Sequence, residues 1–409
     1  MSLNDKHAAL IRSILQDRFL LAPNAFKIEP VKEAKNNHVF LLKLTSPTLE
    51  PSPPSNQVFT TPIPAKTSRL VFRIPKENVS LEDSVRIRNE VAFLTLAREA
   101  LSPIGPSLTP AVFGWSDTVS DSSFGWILEE WKTGEHLTIQ KLVKLGDETQ
   151  RLVLGQMAKV AKCLQDYQLP DSATEFGGLT FDEEGTIKST KSVIPCGGPF
   201  PSYGAFLKGT FRWQLEASER STHVNGWRDY PELRKRIDAF FADGLDGVIA
   251  KVPKQKPTLV NADIAFVNLR FDPATYRLTA VLDFDFSHVG APISEHLFSF
   301  WDWDALLPSQ ANPVGSLREW MLEGFPKDVE DCFKVNRLWD DMLADAHAQK
   351  PSTIAGAGLM ADLWWFSQEL CQAYWFMERI VGKSSAKELE EKKKDSAAKL
   401  DKYLALWGF

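Results

Sequence analysis

The chain runs to 409 residues, 44% hydrophobic and 24% charged, with a formal net charge of -6 at pH 7. That length suits about two or three domains, or two lobes of one enzyme, and the globular balance of residues excludes a disordered or fibrous chain. The acidic surplus argues against nucleic acid as the main partner, because tracking a phosphate backbone takes an excess of Lys and Arg.

From the N-terminus, Leu10, Ile11, Ile14, Leu15 and Phe19 recur at helical spacing among charges, which predicts an amphipathic helix in place of the unbroken apolar core of a secretory signal. No later run reaches the roughly 18 apolar residues of a membrane helix. Cys163, Cys196, Cys332 and Cys371 lie far apart with no CxxC pair, which fits reduced thiols better than a zinc site or a disulfide framework. Together these point to a cytoplasmic protein with no membrane attachment.

Residues 37–44, NHVFLLKL, and 68–75, SRLVFRIP, are β-rich runs of strand length. Between them, residues 45–67 are crowded with Pro, Ser and Thr and are expected to form a long, mobile insertion in a hairpin. A helix is predicted over residues 81–101, then two further strands, PAVFGWS and FGWILEEW, and the turn KTGEHL. Strands around one helix make a first unit, residues 1–130, and the rest of the chain, 131–409, reads as a larger helical unit. In it TIQKLVKLGDETQRLVLGQMAKVAKCLQDYQL has a helical pattern, FGGLTFDEEGTIKS reads as a hairpin, and PCGGPFPSYGAFLKGTFRWQLE reads as a loop entering a helix. Residues 360–382 predict one aromatic-rich helix carrying Trp364, Trp365, Phe366, Tyr374, Trp375 and Phe376, and the charged C-terminal segment predicts another.

The segment richest in chemistry is LVNADIAFVNLRFDPATYRLTAVLDFDFSHVG, residues 259–290. Asp263 and Asn268 follow the spacing Asp-x-x-x-x-Asn, and Asp283 ends the apolar run TAVLDF. In phosphoryl transfer one aspartate can accept the proton of an attacking hydroxyl, while an asparagine oxygen and a second aspartate hold magnesium against nucleotide phosphates. The alternative is that these residues only mark turns between strands. His288 and His296 have no nucleophile motif beside them, and neither GxSxG nor HExxH occurs in the chain.

NADIAFVN followed by LTAVLDFDFSHVGAPISE resembles the catalytic and metal-binding segments of the aminoglycoside phosphotransferase-like family, relatives of protein kinases, whose usual pattern is His-Gly-Asp-x-x-x-x-Asn and then Ile-Asp-Trp/Phe. RLVFRIP, RNEVAFL and GWILEEWKTGEHL resemble its cation-bearing strand, partner helix and hinge, and FGGLTFDEEG with GGPFPS resembles a segment of fungal members. The likeness spans about residues 33–300. It implies an α+β, bilobal protein-kinase-like fold with a strand-rich N-terminal lobe that binds nucleotide and a helical C-terminal lobe that carries the catalytic loop.

By the same resemblance Asp263 takes the catalytic position, and Asn268 and Asp283 the magnesium positions. Arg73 stands at the phosphate-facing cation position, with Glu90 as its ion-pair partner; a planar guanidinium in place of an ammonium can still grip phosphate oxygens. Asn37 and His38 stand in the nucleotide-positioning turn, and the backbone at Glu130 and Trp131 would meet adenine. The implied cofactors are ATP and magnesium. The implied reaction is transfer of the γ-phosphoryl group to a hydroxyl, or second to an amine, of a small-molecule acceptor whose determinants lie in helical-lobe loops such as GGPFPSYGAF.

Two features depart from the family pattern. Asn261-Ala262 replaces His-Gly; Asn261 can donate and accept hydrogen bonds, and Ala262 fits unless the backbone there needs a positive φ. The turn at Asn37 also lacks glycine. Both motivate a rival expectation, a catalytically silent kinase-like protein that binds a nucleotide or metabolite as a scaffold. Asp285 is expected to point away from Asp283 as a supporting residue.

Overall fold

Five antiparallel strands begin the architecture: β1 (Phe26–Val31), β2 (Asn37–Leu44), β3 (Arg69–Pro75), β4 (Val112–Ser116) and β5 (Trp126–Glu130), in the spatial order β1-β2-β3-β5-β4. The computed structural model describes residues 3–32, 34–76, 81–105, 107–118, 125–372, 375 and 381–409. Helix α1 (Leu3–Phe19) lays Ile11, Ile14, Leu15 and Phe19 on one face of the sheet, against Phe40, Leu42, Leu70 and Phe72. The stripe Leu10–Phe19 therefore covers a sheet, as its helical period requires. Strand β1 escapes the sequence reading because Lys27, Glu29 and Pro30 interrupt FKIEPV. Those residues suit an edge strand, which needs pairing on one side only.

The expected mobile insertion, residues 45–67, is instead pinned to the sheet. Ser52 N–H donates to the Ile63 carbonyl at 2.9 Å and Thr61 N–H to the Val112 carbonyl at 2.9 Å. The Gln57 side chain brackets Trp115, donating to its carbonyl at 2.9 Å and accepting from its N–H at 3.2 Å. Pro and Ser content signals absent secondary structure; it says nothing about side chains that can close hydrogen bonds on a neighbouring strand.

Helix α2 (Asp83–Ala100) is buried on nearly every face, wedged between the sheet and the helical region. Its residues Val91, Phe93 and Leu94 share one core with Met157 and Leu164 of α4 (Asp147–Asp166) and with Phe266 and Phe271. A short helix α3 (Ile139–Leu142) precedes α4, and Gly146 at the α4 N-cap divides what the pattern suggested as one helix. The hairpin β6 (Gly178–Phe181) and β7 (Ile187–Thr190) abuts α2. Asn89 of α2 makes that junction: it accepts the Leu179 N–H at 2.8 Å and donates to the Ser287 carbonyl at 2.9 Å, with no exposed surface.

Beyond the hairpin lie α5 (Tyr203–Arg220), α6 (Pro231–Ala239) and α7 (Leu245–Ile249), then β8 (Thr258–Val260), β9 (Leu269–Phe271), β10 (Leu278–Val281), β11 (His288–Gly290) and α8 (Pro292–Phe298). β8 pairs with β11 and β9 with β10, so two short ribbons carry the loops of the site. Helices α9 (Leu317–Glu323), α10 (Lys334–Asp345), α11 (Ala357–Leu370) and α12 (Ala386–Leu406) complete the lobe. The single helix expected over residues 360–382 ends at Leu370, where Cys371 turns extended; Tyr374 and Phe376 lie outside the described residues. Trp364 and Phe366 are core, as an aromatic-rich helix requires. Among the described residues no helix is long and apolar enough to cross a membrane.

Asn89→Ala strips partners from two buried backbone groups at the lobe junction, each costing about 1–3 kcal/mol. Urea unfolding should show a loss of that order; unchanged stability would mean that the junction does not depend on Asn89.

Candidate functional site

Chain reversal between β8 and β9 creates the first half of the site. Asp263 Oδ2 accepts from Asn268 Nδ2 at 2.8 Å, and Oδ1 accepts from Trp301 Nε1 at 2.7 Å. The five-residue spacing thus closes a small ring in which Asn268 also donates to the Asp263 carbonyl at 3.0 Å. Burial pushes the Asp263 carboxyl up to about 7, and the charge of Asp283 adds to that; the Trp301 and Asn268 hydrogen bonds and the Lys35 ammonium oppose it. Lys35, at the tip of the β1–β2 turn, sits 5.1 Å from the centre of the Trp301 ring. A cation from the β1–β2 turn thereby comes near the Asp263 carboxylate.

The loop is braced from behind. Asn261 donates to the Asp283 carbonyl at 3.2 Å and accepts from the Asp263 N–H at 3.0 Å, the bracing expected when it replaces histidine. Ala262 has φ of 66°, the left-handed region that glycine takes freely, so the condition for an easy alanine is not met and the chain carries about 1–2 kcal/mol of local strain. Glu295 of α8 offsets it: one oxygen accepts the Asn261 N–H and the other the Ala262 N–H, both at 3.0 Å.

The second half gathers around Arg73 of β3, which is 8% exposed. Its guanidinium meets Glu90 of α2 in a direct ion pair and lies 3.8 Å from Glu129, 3.4 Å from Asp285 and 4.0 Å from Asp283. Burial works against the Arg73 charge, yet these carboxylates, Glu90 foremost, raise its pKa overall. Burial also pushes Glu90 up against the pull of Arg73, and Glu129 up to about 7.

Asp285 is 1% exposed and is the hub of this half. Its Oδ2 accepts from Asn37 at 2.6 Å and from Arg86 of α2 at 3.2 Å. Burial would raise its pKa, but Arg86 and Arg73 together bring it below the ordinary carboxylate value. The expectation that Asp285 points away from the site is thus corrected: residues two apart on a strand share a face, so continued strand would not have separated the two carboxylates, and with φ of 61° at Asp283 both lie beside Arg73.

The other sequence candidates occupy different places. Asn37 is buried, with one amide N–H given to Asp285 and its amide oxygen accepting from Arg86. The His38 ring lies 4.7 Å from His7 of α1, away from the Asp263 and Asp283 carboxylates, and burial with the Lys76 charge lowers its pKa. At the hinge the Glu130 N–H donates to the Ala111 carbonyl at 2.9 Å and its carboxylate accepts the Ala111 N–H at 3.1 Å. Trp131 lies under the Arg69 guanidinium at 5.8 Å. Lys35, Arg86, Glu129, Glu295 and Trp301 carry the geometry without having been singled out from the sequence.

Hard oxygen donors suited to magnesium remain. Asn268 keeps its amide oxygen without a partner among the described residues, and Asp283 has 34% of its side chain open. Around them four carboxylates, Glu90, Glu129, Asp283 and Asp285, face two guanidinium groups, Arg73 and Arg86, an excess of negative charge that a divalent cation would offset. Among the described residues no group of three or more His, Cys, Asp or Glu side chains is placed to hold a metal.

A model described as the phosphotransferase enzyme family matches residues 55–322, more than half the chain. Among solved structures, a candidate aminoglycoside phosphotransferase from Ralstonia eutropha JMP134 aligns with a TM-score of 0.52 at 15% identity, covering 98% of this chain and 98% of that one. ADP-bound aminoglycoside phosphotransferase APH(2'')-Ib aligns with a TM-score of 0.50 at 14% identity over 97% of this chain and 99% of its own. APH(2'')-IIa, in a ternary complex with streptomycin and ATP, does so with a TM-score of 0.50 at 16% identity over 96% and 97%. These likenesses establish a kinase-like fold, an antiparallel five-stranded N-terminal sheet followed by a helical C-terminal region. No curated protein matches the chain.

Removing Asp285 would leave Arg86 with two carbonyl acceptors, the Asn37 amide oxygen and the exposed Asp83. Asp285→Ala should therefore lower the unfolding free energy by about 3–5 kcal/mol, the usual effect of stranding a buried charge. A loss below about 1 kcal/mol in a denaturant titration would be the scale of an exposed pair and would contradict the hub.

Proposed function

Since the chain belongs to the phosphotransferase enzyme family, we propose that it transfers the γ-phosphoryl group of ATP to a hydroxyl of a small molecule, with Asp263 as catalytic base. The carrying observation is the Asp263 carboxylate, clamped between Trp301 and Asn268 beside Asp283. An acceptor hydroxyl placed against Asp263 gives up its proton to the carboxylate as its oxygen bonds to the γ-phosphorus; the bond to the β-phosphate oxygen breaks and ADP leaves. Both clamps hold the carboxylate in one orientation, which is the positioning that such chemistry needs.

Asn268 and Asp283 are the residues proposed to hold magnesium, which when bound supplies positive charge to the phosphates. Arg73 is the proposed phosphate-facing cation, kept in place by Glu90 and Asp285. Lys35 stands across the cleft, where its ammonium can meet a phosphate oxygen. The backbone beyond Glu130, including Trp131, is the proposed seat of adenine, since the Glu130 N–H is already engaged. Bracing by Asn261 and Glu295 supports an active enzyme over the silent scaffold.

The base must be ionised, and burial with the Asp283 charge raises Asp263 to about 7. kcat/KM for the acceptor should rise with pH through that region and level off above it. Asp263→Asn should lower kcat by about 10²–10⁴ and abolish this limb. A variant that keeps its activity, or a profile flat across that range, would remove Asp263 from the base role.

A further inference from the structure

Arg270, the middle residue of β9, carries a charge that the proposed chemistry does not use. Its neighbours Leu269 and Phe271 are 0% and 1% exposed and belong to the core shared with α2 and α4, so strand alternation turns Arg270 to the opposite face, where it is half-buried. Ala280, its partner on β10, has no exposed surface and no polar side-chain atom to offer. Arg73 and Arg86 each face carboxylates, whereas Arg270 makes no ion pair among the described residues. Its Nη1 donates to the Val267 carbonyl at 2.8 Å and to the Leu269 carbonyl at 3.0 Å, which fixes the guanidinium beside the catalytic loop. Nε and Nη2 make no hydrogen bond among the described residues, and a guanidinium can only donate.

Position narrows what those donors can meet. One end of β9 adjoins Asn268, a residue proposed to hold magnesium against the nucleotide phosphates. The other end is fastened to the chain just past β5: Glu135 and Phe271 exchange N–H···O bonds, each at 2.8 Å, and Thr279 Oγ1 donates to the Thr133 carbonyl at 2.7 Å. That approach is close enough to demand glycine at 134, where φ is 112° and a Cβ would come 2.5 Å from Thr279 Oγ1, 2.9 Å from the Phe271 carbonyl oxygen and 3.1 Å from Arg270 Cβ. Arg270 thus stands between the segment that follows the proposed adenine seat, Glu130 and Trp131, and the proposed phosphate-side residue Asn268. In a nucleotide the ribose joins base to phosphates, and its hydroxyl oxygens accept hydrogen bonds.

We propose that Arg270 is a nucleotide-binding residue whose Nε and Nη2 donate to the hydroxyl oxygens of the ribose, so that the chain selects a ribonucleotide. This rests on the phosphotransferase reading for the presence of a nucleotide, while the ribose contact is measured by binding, apart from turnover. The two carbonyls at Nη1 hold the planar fork in place, so little side-chain freedom is lost when its remaining donors are used.

Calorimetric titration of the full chain in magnesium compares ATP with 2′,3′-dideoxy-ATP, which lacks both ribose hydroxyls, for the unaltered chain and for Arg270→Met, which keeps an unbranched stem and removes the donors. The unaltered chain should bind ATP about tenfold or more tighter, the scale of hydrogen bonds made by a charged group, and Arg270→Met should bring the two nucleotides within about twofold of each other. Arg270→Lys, which keeps the charge and loses the fork, should narrow the preference as well, and it serves where the methionine variant does not fold. An Arg270 that only braces the loop would weaken both nucleotides alike and leave their ratio as it was. That result, equal binding of the two nucleotides by the unaltered chain, or binding of neither would overturn the proposal. Phosphoryl transfer is read separately, as ADP formed from ATP with a panel of small alcohols. A preference that Arg270 controls, with no ADP formed, would uphold the ribose contact and overturn the phosphotransferase reading; ADP formed with the preference unchanged in both variants would do the reverse.

Discussion

Everything at the site depends on one buried contact set, Arg86 and Asn37 on one side of Asp285 and Arg73 on the other. Arg86 and Glu90 lie four residues apart on α2 and so share a face, and both reach the same cluster. Through Asp285 the first residue of β2, Arg73 of β3 and the loop after β10 are held in one geometry. Desolvation makes such a cluster a poor source of net stability, because the charges lose water before they gain each other. Its effect is positional: an Arg73 that moves must abandon Glu90 and Asp285 together.

Charge surplus follows from the same packing. Two guanidinium groups cannot neutralise four carboxylates; burial first, and then the neighbouring carboxylates, raise Glu129 to about 7, and burial with the Asp283 charge raises Asp263 beside them likewise. A nucleotide with its divalent cation would change that balance, since the cation offsets the carboxylates and the guanidinium groups meet the phosphates. The charge surplus and the chemistry proposed for the site thus belong to a single electrostatic arrangement.

Local patterns carried much of the fold. The apolar stripe Leu10–Phe19, the runs at β2, β3 and β5 and the Asp263–Asn268 spacing each depend on neighbours in the chain, and the structure places them as helix, strands and a closed ring. What stayed hidden depends on partners distant in the chain. Asn37 and Asp285 are 248 residues apart, Arg86 and Asp285 199, and Trp301 and Asp263 38. No periodicity reports such pairings. Asn37 reads as a turn residue in the sequence, and only the fold shows it buried with its amide on Asp285 and Arg86. Trp301 was one tryptophan among 13, with nothing local to mark it as the clamp on a carboxylate. Ala262 carries the opposite lesson: the sequence reading named the condition, a positive φ, and only the backbone could say that it holds.

The central claim is that Asn268 and Asp283, backed by Arg73, make a place for a magnesium-bound nucleotide. Thermal unfolding of the full chain with ATP alone, magnesium alone and both together tests it most directly. The account expects stabilisation with the pair, about 2.7 kcal/mol at one hundred times the dissociation constant, and its loss in Asp283→Asn. No stabilisation under any of these conditions, or a shift with the pair that persists undiminished in Asp283→Asn, would contradict it.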